Sequence, residues 1–247
     1  MRVRWLLTMT PQPALSVADF EKMRALDTCT ASNAVELFGV RLRNEGFVPG
    51  SVRCLFPHFK PMLGYAATAR FRSATPPVSG HCYHDRMEWW DYLASIPAPQ
   101  VMVIQDADPS PGTGALVGEI HASIGQAIGC VGHVTNGAVC DLPAVEAIGF
   151  HLFAGCVGVS HSYAHIVEFG EPVEIAGLRI SPGDLIHGDC HGVHVIPLSI
   201  AAGVPKMAAE IQRREGELVQ FCRSSRFSLE ELSQRLQGSF APPRRPA

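Results

Sequence analysis

The chain has 247 residues, 47% of them hydrophobic and 17% charged, enough to bury a substantial core in one large domain or one domain with arms. A formal net charge of -3, with acidic and basic residues interspersed, argues against an electrostatic nucleic-acid binder, which needs a basic face. The eight cysteines are spread so that no two lie within four positions, which removes CxxC zinc and redox elements and suits small apolar residues in a reducing compartment.

Residues 1–16 are expected to form a flexible arm. The start, MRVRWLLTM, resembles a signal peptide, but its apolar stretch is short and is followed by Pro11 and Pro13. No unbroken run of ~18 apolar residues occurs, so no membrane span is expected and cytoplasm is the default. Apolar residues at helical spacing predict helices over Val17 to Leu26 and Ser32 to Leu37. The proline- and glycine-rich stretch 46–61 should be irregular, and Gly64 to Arg72 reads as a strand. A helix is expected from Asp85 to Ala94, then a strand buried on both faces at Val101 to Ile104. After the loop Asp106 to Gly114, an apolar stripe through Leu116, Ile120, Ile124 and Ile128 predicts a helix over 115–128. Cys130 to Thr135 is the next buried strand, completing a right-handed βαβ unit. A helix from Leu142 to Ile148 and a strand from Phe150 to Phe153 follow. The remainder changes character: a hairpin tract over 167–180, strands at Leu185-Ile186 and Val193 to Ile196, then helix from beyond Pro197 to about Leu236. Residues 238–247 are expected to be disordered.

Two segments carry chemistry. The loop PGTGALVGEI (111–120) precedes a helix, and its glycines let backbone amides face a ligand. A helix start offers unpaired N–H groups and partial positive charge, suited to a carboxylate or phosphate; the bland alternative is a tight corner with no ligand. A dinucleotide site is rejected, because Val117 stands where the third glycine of G-x-G-x-x-G belongs and Asn136 where an acidic residue should end the next strand. The second segment is TNGAVCDLP (135–143). In a parallel layer its Asp141 should face the same crevice as Gly118. Asp141 is either a helix N-cap or an anchor for Mg²⁺, whose other positions waters and substrate oxygens fill.

The run VGEIHASIGQAIGCVGHVTNGAVCDLPAVEAIGFHLFAG and the later FGEPVEIAGLRISPGDLIHGDCHGVHVIP resemble the two hallmarks of the RraA-like family. That family includes regulator of RNase E activity A and the 4-hydroxy-4-methyl-2-oxoglutarate aldolases. The resemblance, weaker outside these runs, extends from about Met23 to Val204. It implies an α/β swivelling β/β/α fold: a central βαβ layer, an antiparallel tract and helical arms. The domain then covers 17–204 and a C-terminal helical arm 205–237. It also implies homotrimers, or dimers of trimers forming hexamers, with sites between subunits. The activity implied is a Mg²⁺- or Mn²⁺-dependent lyase that releases pyruvate from a 4-hydroxy-2-oxo acid or oxaloacetate through a metal-stabilised enolate. Asp141 would hold the metal, and the amides of Gly118, Glu119 and Ile120 the substrate carboxylate. One departure stands out: family aldolases read DGAVRD where this chain reads NGAVCD, so Cys140 replaces the Arg that clamps the substrate. Arg70, Arg72 or Arg86 would have to reach in, the substrate must differ, or lyase activity is lost; the last leaves a regulatory protein with a protein partner.

His121, one turn into the helix, could reach the crevice as a catalytic group. Arg86 is a candidate rim cation in a segment that otherwise reads as an amphipathic helix packing its tryptophans. Glu215 and Glu217 are candidates for an acidic residue acting on a neighbouring subunit's site; a solvated helix face is the plainer account. His161 and His165 have metal spacing only if helical. His187, Asp189 and His191 read as polar support for a glycine corner at Gly188 and Gly192.

Overall fold

The computed structural model describes residues 15–79 and 87–239, with side chains through Leu236. The expected arm over 1–16 and tail over 238–247 fall almost wholly outside these residues, as do Asp85 and Arg86. Seven α-helices surround a mixed sheet among the described residues.

Two helices open the chain, α1 (Val17–Arg24) and α2 (Thr28–Glu36). α2 begins four residues before the expected Ser32, because Asp27 caps it, accepting from the Thr30 amide at 2.8 Å and the Thr30 hydroxyl at 2.6 Å. The irregular stretch that follows contains one short strand, β1 (Arg53–Cys54). Then come β2 (Met62–Arg72), α3 (Met87–Ser95) and β3 (Gln100–Asp106). β3 runs parallel to β2. Its unbroken apolar run has a direct cause: Met102 and Ile104 enter a core with Trp89, Phe150 and Leu152, while Val101 and Val103 enter one on the other face with Val134, Phe153 and Ile186.

Ala115–Val117, expected as helix, is instead a strand, β4, and the helix α4 runs from Glu119 to Ile128. β4 heads a small parallel sheet with β6 (Ala138–Val139) and β8 (Cys156–Val157). Strands of two or three residues leave no periodic signal, and the apolar stripe of α4 masked the change at Gly118. Between them, β5 (Cys130–Val134), α5 (Leu142–Ala147) and β7 (His151–Ala154) continue the main parallel layer, so the βαβ expectation holds.

The second half is antiparallel. β9 (His165–Phe169) pairs with the end of β2, and β10 (Val173–Ile175) and β11 (Leu178–Ile180) form a hairpin. Its two-residue turn requires positive φ, which Ala176 (48°) and Gly177 (90°) supply. β12 (Leu185–Asp189) pairs with the start of β2 and turns through Cys190 and His191 into β13 (Gly192–Ile196). The order is β1-β7-β5-β3-β2-β12-β13, with β9 also on β2. α6 (Val204–Cys222) lies with α1 and α2 over a third core of Met23, Val35, Leu63, Leu185 and Ile196, and α7 (Leu229–Ser239) follows it. No helix among the described residues is long and apolar enough to cross a membrane.

Candidate active site

The C-terminal end of β3 is wired before any ligand is considered. Asn136 donates from Nδ2 to the Asp106 carbonyl at 3.0 Å and accepts from the Asp106 amide at 2.8 Å, so one side-chain amide satisfies both backbone groups. The Asp106 carboxylate accepts from the amides of Asp108 (3.0 Å) and Gly112 (2.7 Å); burial pushes its pKa up, and those amides pull part of the way back. Asp108 in turn accepts from the amides of Ser73 (2.7 Å) and Ala74 (2.8 Å). These two aspartates staple the loop over 106–114, a role the sequence reading missed. The signal was there, since Asp beside Pro and Gly commonly accepts from nearby amides.

This loop delivers β4 and the start of α4. Gly118 stands before α4 with no side chain to cap it. Asp141 supplies the cap from across the crevice: its Oδ2 accepts from the Glu119 amide at 3.1 Å. Asp141 also precedes α5 but makes no side-chain cap there, and its φ of 54° lies in the left-handed region. The convergence expected of Asp141 and the Gly118 helix start is therefore present. The carboxylate occupies the Glu119 amide itself, leaving Ile120 as the next residue of the first turn, where no intrahelical carbonyl is available. A Cβ on Gly118 would lie 2.3 Å from Asp141 Oδ2 and 2.7 Å from Cys140 Sγ, so glycine is what admits both groups.

Cys140 is 8% exposed, and its thiol faces the Val117 carbonyl at 3.9 Å. Burial, reinforced by the charge of Asp141, pushes its pKa up to about 11, so it is a neutral thiol at pH 7. Glu119 and Ile120 are exposed at the mouth. His121 is buried beneath Trp90, ring centroids 4.6 Å apart, so its imidazole faces the packing side of α4.

The remaining candidates lie elsewhere. Glu217 is exposed on α6 and paired with Arg213, and Glu215 is on the same helix, which packs on α2 and α1. Arg70 is held by Glu168, Gln105 and the Pro172 carbonyl. Arg72 is exposed at the end of β2, and Arg86 lies outside the described residues. His161 and His165 share no helix; their Nδ1 atoms lie 2.7 Å from the carbonyls of Ala115 and Tyr163 respectively. His187 lies 3.1 Å from the Thr28 hydroxyl, and Asp189 accepts from the Thr28 and His191 amides, as expected of a supported corner.

A family model described as RraA-like, Aldolase/RraA, matches residues 28–195. A Halalkalibacterium halodurans protein named "Putative 4-hydroxy-4-methyl-2-oxoglutarate aldolase" is 30% identical over 125 residues, covering 49% of this chain and 60% of that protein's length. An uncharacterized protein from Pseudomonas syringae pv. tomato superposes with a TM-score of 0.69 at 22% identity, over 89% of this chain and 94% of the other. Streptomyces coelicolor RraAS2, described as an unusual member of the RNase ES inhibitor RraA protein family, superposes with a TM-score of 0.64 at 21% identity, over 82% and 96%. At these identities the superpositions establish a shared fold.

Proposed function

Since the chain belongs to the RraA-like (Aldolase/RraA) family, we propose that it is a divalent-metal-dependent lyase releasing pyruvate from a 4-hydroxy-2-oxo acid, from oxaloacetate, or from both. The observation that carries this reading is the 3.1 Å contact between the Glu119 amide and Asp141 Oδ2. It places one exposed carboxylate at a helix start, with a glycine where any side chain would fill the space. That arrangement fits Mg²⁺ or Mn²⁺ held by a single carboxylate, with water and substrate oxygens as the other donors. When bound, the cation supplies positive charge against the electrons that C–C cleavage leaves at the 2-oxo group.

This chain's own residues do the rest. Asp141 would hold the cation through its carboxylate, one oxygen of which already accepts the Glu119 amide. The Gly118, Glu119 and Ile120 backbone lines the place for the substrate carboxylate, with the Ile120 amide as its nearest available donor. Cys140, neutral and small, forms the wall where the related aldolases carry a guanidinium, so no side-chain cation from this position clamps the substrate. His121 supports α4 from beneath. We assign Glu217 a role only across a subunit boundary, in a trimer or dimer of trimers. Residues 17–204 form the family domain and 205–237 an arm that carries this contact.

Pyruvate release from a panel of such acids, with Mg²⁺, with Mn²⁺ and after chelation, tests the proposal. Release that is absent throughout, or indifferent to metal, counts against it. Cys140 also favours a second reading, a non-catalytic regulator bound to a protein partner. That reading predicts a stable partner whose capture survives Asp141→Ala.

A further inference from the structure

Side chains of metal-ligand character also converge at the β12–β13 hairpin. Asp189 closes β12, Gly192 opens β13, and Cys190 and His191 are the two residues between them. His191 Nδ1 stands 3.0 Å from Asp189 Oδ1 and 3.4 Å from Cys190 Sγ. Ligand atoms of all three lie within 4.8 Å of one another. Tetrahedral zinc holds nitrogen, oxygen and sulfur at about 2.0–2.3 Å, which sets neighbouring ligands roughly 3.3–3.6 Å apart. The two separations at His191, 3.0 and 3.4 Å, approach that spacing.

The corner is built rather than incidental. Asp189 is buried, and its Oδ2 accepts from the Thr28 amide at 2.8 Å, which orients Oδ1 toward His191. Cys190 and His191 are both exposed, so a cation has access from solvent. A hydrogen-bonded turn accounts for the Asp189–His191 contact alone. It does not account for a thiol at the third corner.

We propose that Asp189, Cys190 and His191, with water in the remaining position, form a binding site for a thiophilic divalent cation of the zinc class. Thiolate and imidazole donors select zinc or cobalt over magnesium. Gly188 pairs with Met62 at the start of β2, whereas the Asp141 crevice lies beyond the end of β3, so this site is at the opposite rim of the sheet. On binding, the Cys190 thiol loses one proton to solvent as its sulfur–metal bond forms, and the His191 proton moves from Nδ1 to Nε2. The cation would lock the β12–β13 turn.

The test uses the full chain, stripped by chelation and kept reduced. Titration with Co²⁺ should produce a near-ultraviolet thiolate-to-metal charge-transfer band that saturates at one ion per chain, and Zn²⁺ should displace it. Cys190→Ser should abolish the band. His191→Gln should weaken binding at least tenfold, and Asp141→Asn should leave it unchanged. A wild-type chain with no band, or binding that survives Cys190→Ser, overturns the site. The readout is spectroscopic, so it is independent of any lyase activity.

Discussion

Asp141 precedes α5 but caps α4: its Oδ2 accepts the Glu119 amide at 3.1 Å, across 22 residues of sequence. The pairing commits part of the carboxylate to structure and aims the rest at the crevice. Two substitutions separate these duties. Asp141→Asn keeps an acceptor for Glu119 and tolerates a φ of 54°, so it should fold near wild-type stability. It should lose Mg²⁺ or Mn²⁺ affinity at least tenfold, read by calorimetry. Asp141→Ala loses the cap as well and should cost about 1–2 kcal/mol in urea unfolding. Metal affinity unchanged in the Asn variant would remove Asp141 from the site.

Gly118 is tested by its smallest change. Its φ of -132° suits any residue, so the cost of Gly118→Ala comes from collision, with Oδ2 at 2.3 Å and the Cys140 sulfur at 2.7 Å. The Asp141 carboxylate must move. We expect about 1–3 kcal/mol of destabilisation and loss of metal-dependent turnover, checked by thermal unfolding and a pyruvate assay. A variant with wild-type stability and turnover would show that the packing here is looser than described.

Cys140 should be chemically quiet. With a pKa near 11 and 8% exposure, it should react with iodoacetamide roughly 10²-fold or more slowly than an ordinary exposed thiol at pH 7.5. Cys156, exposed, provides the comparison by mass spectrometry. Early labelling of Cys140 would contradict the neutral wall and point instead to a thiolate in the site.

Asn136→Ala should leave both backbone groups of Asp106 without partners. A loss of about 2–4 kcal/mol is expected, with increased proteolysis in the loop over 106–114. Limited digestion coupled to urea melts checks it, and intact loop protection would be the contrary result.

Acid should destabilise the fold through its buried imidazoles. Burial pulls the pKa of His133 down to about 4, and His187 and His194 shift the same way, also through burial. These groups are neutral when folded and bind protons more readily when unfolded. Stability is therefore complete above the unfolded pKa of about 6.5 and declines as pH falls toward about 4, by about 3 kcal/mol for His133 alone. Urea melts from pH 7.5 to 4 measure the slope, and His133→Gln should flatten part of it.

The sequence by itself determined the elements whose signal is local and repeated. The run 101–104 could only be a strand covered on both sides, and the stripe through Ile124 and Ile128 marked a helix, although Ile120 at its start is exposed at the crevice mouth. The two hallmark runs carried the family. It also put Gly118 and Asp141 on one rim, because parallel strands end together. What only the tertiary structure decided depends on partners distant in sequence. β4, β6 and β8 are too short to show a period and exist because they pair with one another. Asp141 caps a helix it does not belong to, and Asn136 satisfies a residue in the preceding strand. His121 faces Trp90, a contact that depends on how α3 packs against α4. Asp189 accepts the amide of Thr28 at the start of α2, 161 residues away in sequence. Periodicity records which side of an element is buried, whereas a hydrogen bond between distant residues depends on where the folded chain has placed both ends.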